Sequence, residues 1–183
     1  MNRERPEDVG FVFWEKSRRR VSFEKAAGLR RQLDPQIRSI GVFVDAVQEE
    51  IIGLVEQGII TVVQLHGHED EDYIAGLRKH LPHTEIWKAF LLHSRDDVMA
   101  AQESPADMLL LDSGLGGGQC FDWALLQDMH RPYYLAGGLD PENIGMAVRT
   151  LRPYGVDVSS GVEREGVKDE EKVRRFIRAV REN

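Results

Sequence analysis

The chain of 183 residues has a single cysteine, Cys120, so it can form neither an internal disulfide nor a cysteine-based zinc site. A reducing cytoplasm is the compartment this implies. It has no excess of positive charge: 24 Lys and Arg stand against 31 Asp and Glu, a formal net charge of -7. Nucleic-acid phosphates need a basic surface, so no nucleic-acid partner is expected. It has no apolar run near the roughly 20 residues that span a bilayer, so no membrane partner is expected. Its first residues, Met1-Asn2-Arg3-Glu4-Arg5-Pro6, have no apolar stretch behind them and do not read as a signal peptide. What it does have is 42% hydrophobic and 30% charged residues, ordinary for one soluble globular domain spanning 1–183 with a full core.

Short apolar runs alternate with longer amphipathic stretches. The runs 9–13, 40–44, 60–65, 86–90, 108–111, 133–136 and 156–158 read as strands, bounded by Gly, Pro or charge. Their continuous apolar character suits strands covered on both faces, hence a parallel sheet. Helical patterns occupy 22–33, 46–57, 69–81, 95–103, 122–129, 141–151 and 169–181. Ser22 is an N-cap candidate without the Glu of a full capping box, since Lys25 stands three positions on. Val47, Ile51, Leu54 and Val55 share one helical face, which stops at Gly58. The run Glu69-Asp70-Glu71-Asp72 reads as a first helical turn facing the positive end of the helix dipole rather than a metal site.

Strict strand–helix alternation predicts a parallel α/β fold, either a doubly wound open sheet or a (βα)8 barrel. A barrel typically takes about 250 residues, with about 200 at the lower end. This chain has 183 residues and seven strand segments, and starts almost directly on one at Val9. If it is a barrel, the first βα unit is the one missing.

In such folds functional groups collect at the C-terminal ends of strands. After the first strand comes Ser17-Arg18-Arg19-Arg20, whose guanidinium forks suit a carboxylate or phosphate but equally a solvated basic loop. The third strand ends in His66-Gly67-His68. No third ligand at a matching spacing accompanies these histidines, so no metal is expected; His66 reads as a polar lining residue and His68 as surface. The fifth strand ends in Asp112, a candidate general acid or base, the alternative being a loop cap. A glycine-rich stretch, Ser113 to Trp123, follows it. The last two strands end in Gly137-Gly138, with Asp140-Pro141 as a helix start, and in Ser159-Ser160-Gly161. Two such loops in succession match the phosphate site that often follows the last two strands of a barrel, and imply a small phosphorylated substrate.

Taken together, these pieces resemble the phosphoribosylanthranilate isomerase family. The matching segments are Gly10-Phe11-Val12-Phe13 with Ser17-Arg18-Arg19, Gly41-Val42-Phe43-Val44, Val63-Gln64-Leu65-His66-Gly67, and Leu111-Asp112-Ser113 with Gly118-Gln119-Cys120-Phe121-Asp122-Trp123. Ala136-Gly137-Gly138-Leu139 with Asn143, and Val156 to Glu163 with Gly166-Val167-Lys168-Asp169, complete them in order along the chain. The resemblance implies a (βα)8 barrel and an Amadori rearrangement of an aminoaldose to an aminoketose in tryptophan biosynthesis, without a metal or organic cofactor. It implies Asp112 as general acid and Arg19 on the anthranilate carboxylate. It also implies His66 and Asp157 lining the substrate, and backbone groups near Gly137, Gly138, Ser160 and Gly161 cradling the phosphate. The family's base is a cysteine in a Lys-Ile-Cys-Gly-like motif on the first strand, and nothing in Met1 to Asp8 resembles it. The resemblance therefore implies an N-terminally truncated member with impaired turnover, or one that binds phosphate and anthranilate without turnover. Cys120 belongs to a different loop and reads as a structural cysteine. A sheet short of one strand has open edges at 9–13 and 156–158, which invite self-association.

Overall fold

The computed structural model describes residues 1–112 and 123–183. Ser113 to Asp122, with Cys120 and most of the glycine-rich stretch, lie outside the described residues. Among the described residues the fold is α/β with seven parallel strands, as the barrel reading expects. The chain divides into two compact units, Met1–Ala89 with Pro105–Met108, and Phe90–Ser104 with Leu109–Asn183.

In the first unit, β1 (Asp8–Val12), β2 (Arg38–Phe43), β3 (Val62–Leu65) and the first five residues of β4 (Glu85–Leu91) lie side by side in chain order. Helices α1 (Phe23–Gln32), α2 (Gln48–Glu56) and α3 (Glu71–His80) connect them. The core gathers Phe11, Phe13, Phe43, Ile51, Leu54, Val63, Leu65, Ile74, Leu77 and Ile86. Burying each such side chain contributes about 1.5–3 kcal/mol. Ser22 caps α1 as expected, its Oγ accepting from the Lys25 N–H at 3.2 Å. Val47 is not on the buried face: it precedes α2 as an exposed N-cap, while Ile51 and Leu54 are buried.

In the second unit, β5 (Met108–Asp112), β6 (Tyr133–Ala136) and β7 (Gly155–Val156) are parallel neighbours. Helices α4 (Arg95–Glu103), α5 (Ile144–Leu151) and α6 (Glu170–Arg181) accompany them. A second core forms from Leu109, Leu111, Leu126, Leu135, Leu139, Ile144, Val162, Val173 and Phe176. Ser94 and Asp97 form a capping box on α4, and Asp169 caps α6 by accepting from the Lys172 N–H at 2.9 Å.

Three further sequence expectations about the elements need correction. The 122–129 segment is a 3-10 helix, Trp123–Asp128, not an α-helix. The last strand has two residues rather than three. Asp157 still donates its N–H to Leu135 O at 2.8 Å, but the chain then turns at Ser159 and leaves the ladder. Asp140-Pro141 opens a turn, not the helix. The Asp140 carboxylate accepts from the N–H groups of Glu142 and Asn143, each at 2.9 Å, and α5 starts at Ile144. A short antiparallel hairpin, β8 (Glu163–Arg164) with β9 (Val167–Lys168), follows Val162 and had no apolar signal to announce it.

Candidate functional site

In the first unit the polar groups stand where β1 to β3 end. Past β1, the Ser17 Oγ accepts from the Arg19 N–H at 3.1 Å and tightens the turn. The three arginines are not equivalent. Arg18 and Arg20 are exposed, and Arg20 pairs with Glu15 at 3.3 Å, whereas Arg19 is half-buried. His66, also half-buried, directly follows β3. Its N–H donates to Phe43 O at 2.8 Å, and its Nδ1 lies 3.2 Å from Gln64 Nε2.

The acidic run after it is not one helical turn. Asp70 caps α3, accepting from the Tyr73 N–H at 2.8 Å, and Glu71 and Asp72 do face the N-terminal end. Glu69 instead turns inward and pairs with Lys88 of β4 at 2.8 Å, with 1% and 9% of the two side chains exposed. Glu69 Oε1 also accepts from the Asp45 N–H, and Oε2 from the Gly67 N–H, both at 2.8 Å. A buried charge costs several kcal/mol unless paired and hydrogen-bonded, and this one is both. His68 is exposed, as expected. Its N–H and Nδ1 reach the Asp45 carboxylate at 2.6 and 3.0 Å, which holds that carboxyl below the usual carboxylate range. Burial, and next the Glu69 charge, push the Tyr73 hydroxyl up to about 12, and that hydroxyl donates to Ala46 O at 2.7 Å.

In the second unit Asp112 is the last residue of β5 and half-buried. It sits opposite Ala136 in the β5–β6 ladder, and its carbonyl accepts from the Leu92 N–H at 3.0 Å. Directly after Ala136, Gly137 and Gly138 take φ values of 85° and 62°, a conformation that side chains disfavour. Asn143 fastens this loop: its Nδ2 donates to Gly138 O at 2.8 Å and its Oδ1 accepts from the Asp140 N–H at 2.9 Å. The loop after β7 reaches the same place. A Cβ on Gly161 would fall 2.9 Å from the Leu139 carbonyl carbon, and closer still to its oxygen, so the two glycine-bearing loops touch backbone to backbone. Lys168 donates to Ser159 O at 2.6 Å and pairs with Glu163 at 3.3 Å, and Lys172 donates to Glu163 O at 2.9 Å. These lysines hold the loop from behind. Asp157 and Ser160 are exposed beside it.

Asp112, Gly137, Gly138 and Gly161 are thus brought together, with Ser160 adjacent, in one unit, while Arg19 and His66 stand in the other. Glu69, Asp45, Lys88 and Lys168 were missed. Lys88 did leave a signal, as the lone charge inside the apolar run Ile86-Trp87-Lys88-Ala89-Phe90. Among the described residues no group of three or more His, Cys, Asp or Glu is placed to hold a metal, and no helix is long and apolar enough to cross a membrane.

Parallel strands joined by helices in chain order, with polar groups gathered where the strands end, are the repeating unit from which (βα)-barrel enzymes are built. Comparison with known proteins narrows this. The family model for N-(5'-phosphoribosyl)anthranilate (PRA) isomerase matches residues 2–179, and the chain belongs to that family. It is 43% identical over 195 residues to the isomerase of Acetivibrio thermocellus, covering 100% of this chain and 89% of the relative. It is 40% identical over 184 residues to that of Clostridium kluyveri, covering 99% and 90%. The Thermotoga maritima isomerase structure superposes with a TM-score of 0.87 at 34% identity, covering 99% and 91%. An isomerase structure in complex with reduced 1-(o-carboxyphenylamino)-1-deoxyribulose 5-phosphate gives 0.85 at 33%, covering 99% and 90%. A 3-hexulose-6-phosphate synthase from Salmonella typhimurium, 16% identical with a TM-score of 0.70, shares the fold alone.

Proposed function

We propose that this chain acts on N-(5-phosphoribosyl)anthranilate, isomerising it to 1-(2-carboxyphenylamino)-1-deoxyribulose 5-phosphate in cytoplasmic tryptophan biosynthesis. The observation that carries this reading lies in the second unit. Asp112 stands opposite Ala136, one residue before Gly137-Gly138, and the loop that follows packs on Gly161. Asp112 therefore neighbours two glycine-bearing loops, a backbone type whose N–H groups suit an anion. Asp112 gives its proton to the furanose ring oxygen, the C1'–O bond breaks, and a Schiff base forms. Removal of the C2' proton by a base yields an enolamine, which tautomerises to the ketone. Backbone N–H groups near Gly137, Gly138, Ser160 and Gly161 hold the phosphate. Arg19, the half-buried arginine of its turn, holds the anthranilate carboxylate with its planar fork. His66 and Asp157 contact the rest of the substrate.

The test follows the loss of phosphoribosylanthranilate fluorescence, alongside titration with the reduced product analogue. Asp112→Asn lowers turnover by about 10²–10⁴-fold while the analogue still binds. Failure of the unsubstituted chain to bind the analogue refutes the reading. A second reading is that the chain binds this ligand without turning it over. Analogue binding with no measurable turnover identifies it.

We also propose that the chain self-associates through β1 and β7. Among the described residues each runs its ladder against one neighbouring strand, β1 being bridged on its other side only at Val12, whose carbonyl accepts the Val21 N–H at 2.9 Å, and a relative from Thermotoga maritima is described as dimeric. Sedimentation that gives only a monomer at micromolar concentration refutes this.

A further inference from the structure

The chemistry above leaves unused the one buried ion pair among the described residues with both partners under a tenth exposed, Glu69–Lys88. Stability alone is a poor reason for such a pair, because a well-packed apolar pair often serves as well. Its geometry suggests another. The Gly67 residue is gripped at both ends: Glu69 Oε2 accepts its N–H at 2.8 Å, and Lys88 Nζ donates to its carbonyl at 2.6 Å. There is no slack around it, since a Cβ on Gly67 would fall 2.8 Å from both the Asp45 Cγ and the Asp45 backbone nitrogen. The Asp45 N–H is itself held by Glu69 Oε1 at 2.8 Å. One carboxylate therefore ties the turn after β2, the turn after β3 and the lysine of β4.

The residue directly before the gripped glycine is His66. Its own N–H is fixed on Phe43 O at 2.8 Å, so its backbone is held on both sides, and its ring lies against the Gln64 amide at 3.2 Å. We propose that Glu69 and Lys88 are positioning residues for His66, locking the 66–68 turn so that the imidazole is presented to the phosphorylated anthranilate ligand in one orientation. This rests on the reading of His66 as a substrate contact. Neither residue touches the ligand; they act by removing the freedom of the backbone that carries the ring, which is where misplacement by about 1 Å costs most.

The test is a binding cycle with the reduced product analogue as probe, read by calorimetric titration on the full chain. His66→Ala weakens binding by about ten-fold, and the shape-conserving pair Glu69→Gln with Lys88→Met weakens it comparably. The three substitutions together weaken it no more than His66→Ala alone, because the pair acts only through the ring. The His66 ring resonances shift in the paired variant while those of His80 and His83 stay in place. If His66→Ala leaves the affinity unchanged, the substrate-contact reading fails and the proposal falls with it. If His66→Ala weakens binding but the paired variant does not, or the effects multiply, the proposal alone is overturned. Should the paired variant lose its cooperative melt, Glu69→Gln alone is read by the same criteria.

Discussion

Gly161→Ala probes the contact on which the phosphate reading depends. The added methyl would meet the Leu139 carbonyl carbon at 2.9 Å and the Asp140 Cα at 3.0 Å, with the carbonyl oxygen nearer still; real Cβ atoms essentially never come within 3.0 Å. All of these are backbone atoms, and neither loop can swing away. On one side Leu139 is buried and Asn143 clamps the carbonyl before it and the N–H after it. On the other, Lys168 holds Ser159 O, and Val162 O accepts the Asp169 N–H at 2.9 Å. Overpacking of this kind costs about 1–3 kcal/mol. At about 2–4 °C per kcal/mol for a chain this size, the melting temperature falls by roughly 2–12 °C. The loops must also part, so affinity for the reduced product analogue drops by about 10- to 100-fold. Gly53→Ala is the control. Its Cβ would find nothing nearer than Gln57 Nε2 at 3.8 Å, and in a helix it stabilises by about 0.5–1 kcal/mol. An unchanged melting temperature in Gly161→Ala refutes the contact between the loops. A lowered melting temperature with unchanged affinity refutes their role in holding phosphate.

Two further outcomes follow from the electrostatics. Lys88→Met alone strands the Glu69 carboxylate in the core and costs about 3–5 kcal/mol, whereas adding Glu69→Gln recovers most of that loss; urea midpoints that rank the two variants the other way refute the argument. Asp45, Asp97 and Asp169 have carboxyls held below the usual range, chiefly by the His68 side chain, the His93 N–H and the Lys172 N–H respectively. A depressed folded-state pKa means stability that is present above the unfolded value, about 3.9, and lost as pH falls through the folded one. The triple variant Asp45→Asn, Asp97→Asn, Asp169→Asn therefore loses less stability between pH 5 and 2 than the parent in urea titrations, and an equal loss refutes the assignment.

How far the sequence could be read depended on how local each feature is. The α4 boundaries and β6 match the reading residue for residue, because the helical pattern of 95–103 and the apolar run Tyr133 to Ala136 are local signals. The Ser22 cap was legible for the same reason. The 3-10 turn at Trp123–Asp128 was not: its apolar spacing is helical, and periodicity alone does not separate a tight helix from an α-helix. Glu69 was misread because an acidic run before a helix is ordinarily solvated. Its inward turn requires Lys88, nineteen residues on, and the parallel register that sets Leu65 beside Lys88.

By itself the sequence determined the alternation of strands and helices, the α/β class, the absence of a disulfide framework, and which residues stand at strand ends. All of these follow from residue type and spacing over a few positions. Only the tertiary structure decided that Arg19 and not its neighbours is half-buried, and that Gly161 meets the backbone beside Gly138. It alone decided that one buried carboxylate ties the turns after β2 and β3 to the lysine of β4. Those facts depend on ladder register and on which charges leave water, and both arise only when segments distant in sequence pack against each other.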